Sequence, residues 1–223
     1  MWGYFGKVPN RGDFISHQLP PAIRDLFFEW CQAGLAVSRE QLGENWLDAY
    51  LTAPIWHFAA SPDTLSESGL VGTFIPSVDR VGRHFPFMVI GQYPGRALDA
   101  WRDPQWAGQL EEKVLAVLDD HWDEAAWQQG LGEIKPPAPT PGRLRLPNEE
   151  GNLVLPGEVS ERQLLAALLN KEEEKTLWWT QGSAYVEPCW LSTRGLPQVG
   201  QFAALLAGQW QEQGWQTATL MEQ

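Results

Sequence analysis

The sequence predicts an α/β (α+β) protein, with a mixed, largely antiparallel sheet flanked by helices in an α-β-α layered arrangement. Two observations lead to this prediction. Strand-like segments come in pairs joined by short turns, which is typical of antiparallel strands. Segments with apolar residues at three- and four-residue steps lie between those pairs, and such spacing indicates amphipathic helices. At 223 residues the chain is long enough to bury a core without disulfide bonds.

The first quarter of the chain predicts one strand and two helices. Residues 2–8 alternate aromatic and small side chains, and a turn follows at residues 9–12. A helix begins at Pro20-Pro21 and runs to about Leu42, because Gly43 ends its apolar stripe. A short second helix is expected at residues 45–51.

The middle of the chain predicts three strands and one long helix. The strands are expected at residues 55–60, 69–76 and 85–93, and the polar segment 77–84 connects the last two. Apolar spacing from 98 to 129 predicts a single helix, with a kink or start near Pro104. The acidic pair Asp119-Asp120 is expected on its solvated side.

Proline-rich residues 136–141 form the strongest linker signal, so the chain is divided into an N-terminal region, 1–135, and a C-terminal region, 136–223. Whether these are two domains or one compact domain stays open. The C-terminal region predicts a hairpin at 143–156, a helix at 160–170, strands at 177–179 and 187–191, and a last helix from Pro197 onward. Four apolar residues should share one side of the last helix: Phe202, Leu205, Leu206 and Trp210.

Composition argues against several classes of function. A net charge of −12 offers no positive field for nucleic acid. With no signal-peptide pattern and no apolar run of about 18–20 residues, we expect a cytoplasmic protein that does not insert into membranes. The two cysteines lie far apart and are expected as buried or half-buried thiols, while most of the thirteen tryptophans are expected in the core.

No catalytic pattern is evident in the sequence. The four histidines form no metal-binding pair, and both a nucleophile elbow and a phosphate-binding loop are missing, so neither metal nor cofactor is expected. One alternative stays open, a small-ligand or enzymatic pocket formed by His57, Asp79, Arg83 and His84.

The segment Asp79-Arg-Val-Gly-Arg-His84 has two interpretations. In the first, Arg80 or Arg83 pairs with Asp79 or Asp13, and the segment is a salt-bridged turn. In the second, the two guanidinium groups bind carboxylates or phosphates of a partner. Arg11-Gly-Asp13 is interpreted as a local turn, since Gly12 permits positive φ and Asp13 can accept backbone N–H groups or pair with Arg11.

Four motifs in order resemble the TagF family associated with bacterial type VI secretion. They are GYFGKVPNRGDF from Gly3, WLDAYLTAPIWHF from Trp46, PSVDRVGRHFPF from Pro76, and a two-part C-terminal motif that consists of LWWTxGS from Leu177 and GLPxxxxF from Gly195. The resemblance spans nearly the whole chain and implies a layered helix–sheet–helix fold.

The resemblance also implies a function: a non-enzymatic cytoplasmic regulator that represses type VI secretion after translation by binding a scaffold protein with a forkhead-associated domain. It implies no catalytic residues. The candidates for partner contact or fold support are Arg11, Asp13, Asp79, Arg80, Arg83, His84, Trp178 and Trp179. A structural subunit of the secretion baseplate is a further alternative.

Overall fold

A seven-stranded antiparallel sheet organises the protein. The computed structural model describes residues 1–138 and 175–217. The strands are β1 (Trp2–Gly6), β2 (Ile15–His17), β3 (Trp56–Ala60), β4 (Gly69–Ile75), β5 (Phe87–Tyr93), β6 (Thr176–Thr180) and β7 (Cys189–Thr193). Their order is β2-β1-β5-β4-β3-β6-β7, and every pair is antiparallel. The largely antiparallel sheet predicted from the sequence is therefore confirmed, with β2 as an additional strand.

Helices cover both sides of this sheet, which confirms the layered arrangement. Successive strand side chains point to opposite sides, and each side carries its own apolar cluster. We call the first side the α1 face; its helices are α1 (Pro21–Leu42), α2 (Trp46–Leu51) and α6 (Phe202–Ala207). The other is the α4 face, covered by α3 (Ala97–Arg102), α4 (Gln105–Ala116) and α5 (Glu124–Glu133).

The long helix α1 confirms its prediction at both ends. Pro21 occupies the first turn, and Gly43 ends the helix with φ of 54°, a conformation that favours glycine. Its apolar stripe is buried against the sheet: Ile23, Phe27, Trp30, Cys31 and Leu35. Burial at three- and four-residue steps is what fixes the rotation of this helix on the sheet.

The single helix predicted for residues 98–129 is wrong; the segment forms α3, α4 and α5. Pro104 immediately precedes α4, so the expected start near Pro104 is confirmed. The second break is made by aspartates: Asp119 accepts a hydrogen bond from the His121 backbone N (2.7 Å), and Asp123 caps α5 by accepting from Ala125 N and Ala126 N. Asp119-Asp120 thus lie in a turn rather than on a helix surface.

The last helix is also shorter than predicted. A 3-10 turn, Val199–Gln201, precedes α6, which ends at Gly208 with φ of 69°. Trp210 lies beyond this helix and packs edge-on against Trp56, with ring centroids 6.3 Å apart. Strand β6 includes its predicted residues, β7 begins two residues later than predicted, and both extend the same sheet. The predicted hairpin at 143–156 and helix at 160–170 lie outside the described residues.

Tryptophans dominate the core, as predicted. Nine of the thirteen are buried: Trp2, Trp30, Trp46, Trp56, Trp106, Trp122, Trp127, Trp178 and Trp179. Several indole N–H groups find backbone acceptors, such as Trp30 with the Pro197 carbonyl (2.8 Å). Cys31 is buried and Cys189 half-buried, both as free thiols. Across residues 1–138 and 175–217, no helix combines the length and apolarity needed to cross a bilayer.

Candidate functional site

Asp79 is the centre of a buried ion cluster in the turn between β4 and β5. Its residue surface is 2% exposed. One carboxylate oxygen, Oδ2, accepts from Lys7 Nζ (2.7 Å) and from Arg83 Nε (2.6 Å). The other, Oδ1, accepts from the backbone N of Val81 (3.1 Å) and of Arg83 (2.8 Å). We call Asp79, Lys7 and Arg83 the Asp79 cluster.

The surroundings of Asp79 keep its carboxyl group ionised. Burial alone would raise the pKa of Asp79, because a carboxylate loses hydration in the interior. The hydrogen bonds from Lys7, from the Arg83 backbone and side chain, and from the Val81 backbone outweigh that effect, and they hold the pKa well below its ordinary value. Lys7 is itself only 6% exposed, so Asp79 compensates a second buried charge.

Arg83 connects this turn to the N-terminal loop. Its guanidinium also donates to the Gly12 carbonyl and lies 3.7 Å from the exposed carboxylate of Asp13. A second link runs from the Arg80 backbone N to the Arg11 carbonyl (2.9 Å). The structure thus forms the salt-bridged turn of the first interpretation, with Arg83 as the pairing arginine.

Arg11 and Arg80 have different surroundings. Arg11 pairs with Glu124 at the start of α5, at 3.3 Å across the solvent-exposed edge of the protein. The Arg80 side chain is exposed, and Val81 beside it is 67% exposed. Residues 80–83 are all exposed, so Arg80 and Val81 belong to the solvent-facing part of the turn that holds the buried Asp79 carboxylate.

His84 closes the turn on its inner side. Val78 and His84 form an isolated antiparallel bridge. The imidazole packs edge-on against Trp46 and Tyr50, with centroids 5.1 and 5.3 Å away. Burial lowers the pKa of His84, and the Arg39 cation lowers it further, against an opposing effect of Asp79. The lowered pKa favours the neutral ring, and the imidazole serves as a packing group.

His57 lies on the α4 face, away from the other three residues of the predicted pocket. It is 4% exposed, and its Nδ1 lies 2.7 Å from Thr73 Oγ1 while Nε2 lies 3.3 Å from Glu111 Oε2. His84 instead packs with the α1-face residues Trp46 and Tyr50. The structure does not bring His57, Asp79, Arg83 and His84 together into one cavity.

The carboxylate–imidazole–hydroxyl arrangement of Glu111, His57 and Thr73 was not predicted from the sequence. We call it the His57 cluster. The hydrogen bond from His57 lowers the pKa of Glu111, against the opposing effect of burial. The Thr73 side chain is fully buried, so its hydroxyl cannot meet a substrate as a nucleophile must. Among the described residues, no group of three His, Cys, Asp or Glu side chains is arranged to hold a metal ion.

Comparison with known proteins identifies the family. The sequence pattern of the TagF N-terminal domain, described as type VI secretion system-associated, matches residues 3–134. The chain belongs to the TagF family. Protein PA0076 of Pseudomonas aeruginosa PAO1, whose crystal structure was determined at 2.05 Å resolution, is 31% identical and superposes with a TM-score of 0.75, covering 100% of this chain and 99% of PA0076. A search of the curated proteins finds no match.

The glycines of the first TagF motif have structural roles. A Cβ on Gly3 would stand 2.7 Å from the Gln18 carbonyl oxygen, because the chain leaving β2 crosses close over β1. Gly6 has φ of 138°, and a Cβ there would overlap the Pro86 carbonyl. These two glycines let β1 lie tightly between its neighbours, which places Lys7 beside Asp79.

The tryptophan pair of the TagF-like C-terminal motif supports both sides of the sheet. Trp178 is fully buried on the α1 face and packs against Phe58, with centroids 5.1 Å apart. Trp179, 8% exposed, lies on the α4 face beside His57 and Trp106. Neither indole is available to a partner; both are core residues of the TagF fold.

Proposed function

We propose that this TagF-family protein is a non-enzymatic cytoplasmic repressor of type VI secretion. It binds a scaffold protein that carries a forkhead-associated domain and so prevents assembly of the apparatus after translation. Membership in a type VI secretion-associated family is the observation that carries the proposal. The charged groups are consistent with it, because Asp79 and Arg83 serve the fold rather than a reaction.

The turn that holds Asp79 supplies the proposed contact surface. Tyr50 Oη donates to the Ser77 carbonyl (2.8 Å) and accepts from the Ser77 backbone N (3.1 Å), so α2 fixes the start of the turn. Asp79 fixes its centre. The exposed pair Arg80 and Val81 then stands on a rigid base, and a preorganised arginine beside an apolar side chain suits a protein interface.

The test changes only the exposed pair. The double variant R80E and V81S should weaken capture of the purified scaffold protein at least tenfold, while circular dichroism and thermal unfolding stay as in the unchanged protein. R194E, at an exposed arginine after β7, is the matched control and should bind normally. In cells, the double variant should release secretion to the level seen without the repressor.

Four results would contradict the proposal or part of it. Normal scaffold binding by R80E and V81S would exclude this turn as the contact. Failure of the unchanged protein to bind the scaffold would exclude the proposed partner. Stoichiometric recovery in assembled secretion particles would instead support a structural subunit, and turnover of a substrate would support an enzyme.

A further inference from the structure

Strand β2 is an open edge of the sheet. It pairs with β1 on one side, in the register Tyr4 with His17 and Phe5 with Ser16. Within residues 1–138 and 175–217, no strand pairs with its other side. Within these described residues, the backbone groups of Ile15, Ser16 and His17 make no hydrogen bond apart from those that pair β2 with β1. An edge of this kind presents alternate N–H and C=O groups to an extended chain.

An apolar cavity of about 320 Å³ flanks this edge on the α1 face. Its lining includes the rings of Phe5, Phe14 and Phe28, with Arg24 beside them. Phe14 is 44% exposed and packs edge-on against Phe28, with centroids 5.6 Å apart. Ser16 lies opposite Phe5 in the register. It is the one residue of β2 that is exposed, and its side chain is short. The cavity therefore has room for an aromatic or aliphatic side chain.

A second cavity, of about 600 Å³ and with both apolar and polar lining residues, flanks the same edge on the α4 face; we call it the Lys135 cavity. Tyr4, His17, Gln128 and Lys135 line it, and the Tyr4 and His17 rings stack with centroids 5.6 Å apart. The lining includes one lysine and no aspartate or glutamate. Its charge is complementary to an acidic side chain.

The two cavities occur at neighbouring positions of one strand and on opposite sides of the sheet. Ser16 faces the apolar cavity and His17 the Lys135 cavity. An added strand presents its side chains with the same two-residue alternation. A chain paired with β2 would thus place one side chain in the apolar cavity and the next in the Lys135 cavity.

We propose that β2 accepts an extended segment of the partner protein as an additional strand, with alternating apolar and acidic side chains. The proposal deepens the proposed function and rests on it for the identity of the partner. Phe14 also lies under the Lys7 ammonium, 5.1 Å from its ring centroid, so the edge adjoins the Asp79 cluster. One partner could therefore contact the Arg80–Val81 turn and the β2 edge together.

Hydrogen exchange on the full-length protein tests the edge directly. In the free protein, the outward-facing amides among Ile15, Ser16 and His17 should exchange quickly. Binding of the purified scaffold protein should slow them at least tenfold. Slow exchange already in the free protein would overturn the proposal, since another part of the chain or a second copy would then occupy the edge. Scaffold binding without protection of these amides would overturn it as well.

Substitution provides a matched comparison between the two ends of the sheet. S16R fills the apolar cavity with a charged side chain, and it should weaken scaffold binding at least tenfold. S192R places the same change on β7, the opposite edge strand, where Ser192 is also exposed, and should leave binding unchanged. Equal binding by S16R and the unchanged protein would exclude the edge while leaving the proposed function intact.

A peptide-binding experiment tests the proposal even if the scaffold protein does not bind. The probe is an eight-residue peptide of alternating Phe and Glu, compared with a block peptide of the same composition. The unchanged protein should prefer the alternating peptide at least fivefold, S16R should abolish that preference, and K135E should shift it toward an alternating Phe and Lys peptide. No preference for alternation would overturn the proposal, whatever the scaffold does.

Discussion

Two polar clusters, one in the turn after β4 and one on the α4 face of the sheet, bury similar chemical groups in different ways. In the Asp79 cluster, a carboxylate with no exposed side-chain surface accepts from four donors, two of them backbone N–H groups. In the His57 cluster, the Glu111 side chain is 38% exposed. Its carboxylate therefore contacts solvent as well as one imidazole nitrogen of His57. The Asp79 carboxylate is therefore shielded from solvent, although the Arg83 side chain that pairs with it is 57% exposed, whereas solvent reaches the Glu111 carboxylate.

This difference indicates how strongly each cluster controls the fold. A buried charge without its partner costs far more free energy than an exposed one, because no water replaces the lost contact. The Asp79 cluster also joins three separate parts of the chain, the end of β1, the N-terminal loop and the turn after β4. The His57 cluster joins two strands and α4. We expect the Asp79 cluster to contribute more to stability.

The largest expected effect follows from D79N. The amide keeps the shape of the carboxylate but leaves Lys7 buried without its counter-charge, so the free energy of unfolding should fall by about 3–5 kcal/mol. D13N is the control, since the Asp13 side chain is 98% exposed and lies 3.7 Å from the same arginine; its effect should be within about 0.5 kcal/mol. Urea unfolding measures both.

A second variant separates charge compensation from shape. In D79N with K7M, the buried ammonium is removed as well, so part of the lost stability should return. Equal losses for D79N and D13N would show that the burial of Asp79 does not matter, and the contrast between the clusters would disappear.

A smaller effect is expected from H57F. The phenyl ring retains the packing against Trp106 and Trp179, but the Thr73 hydroxyl loses its partner in the interior. The free energy of unfolding should fall by about 1–3 kcal/mol. H121F changes an exposed histidine and should have little effect. A loss for H57F as large as that for D79N would mean that partial exposure of Glu111 does not weaken its cluster.

The fold was largely predictable because most elements carry a local signal. Helix α1 has an apolar stripe bounded by Pro21 and Gly43, and the central strands have apolar residues between turns. The segment containing α4 and α5 misled the prediction, since Trp106, Leu110, Val114 and Val117 keep helical spacing and are all buried. The helix breaks in the structure depend on Pro104 and on the capping residue Asp123. In the prediction, the apolar spacing was given more weight than either of these two signals. Strand β2 is three residues long and has too short a pattern to detect.

The candidate site was predictable only where its partners are close in sequence. Asp79 and Arg83 lie four positions apart, so the salt-bridged turn followed from the motif itself. Lys7 lies 72 positions from Asp79, and Glu111 lies 54 from His57. No periodicity links such residues; the pairing of β1 with β5 and the placement of α4 bring them together. The same dependence on the fold explains why the expected pocket does not form. Side chains alternate along β3, so His57 points to the α4 face while its neighbours Trp56 and Phe58 point to the α1 face.

The smallest expected difference between the two clusters is in how the free energy of unfolding changes at acid pH. The pKa of Asp79 is lower in the folded protein than the ordinary value of about 3.9 in an unfolded chain. Its contribution to stability is therefore complete above about pH 5. As the pH falls below about 4, the unfolded chain binds a proton that folded Asp79 does not, so stability decreases by at most about 1.4 kcal/mol per pH unit for this group.

D79N should lack this part of the slope, which denaturant midpoints at pH 5, 4 and 3 would measure. Glu111 also has a lowered pKa, so its contribution has the same sign and is lost in the same direction. Because solvent reaches its carboxylate, E111Q should flatten the slope less than D79N does. Parallel pH profiles for D79N and the unchanged protein would contradict the lowered pKa of Asp79, and a larger effect of E111Q would reverse the assignment of the dominant buried charge.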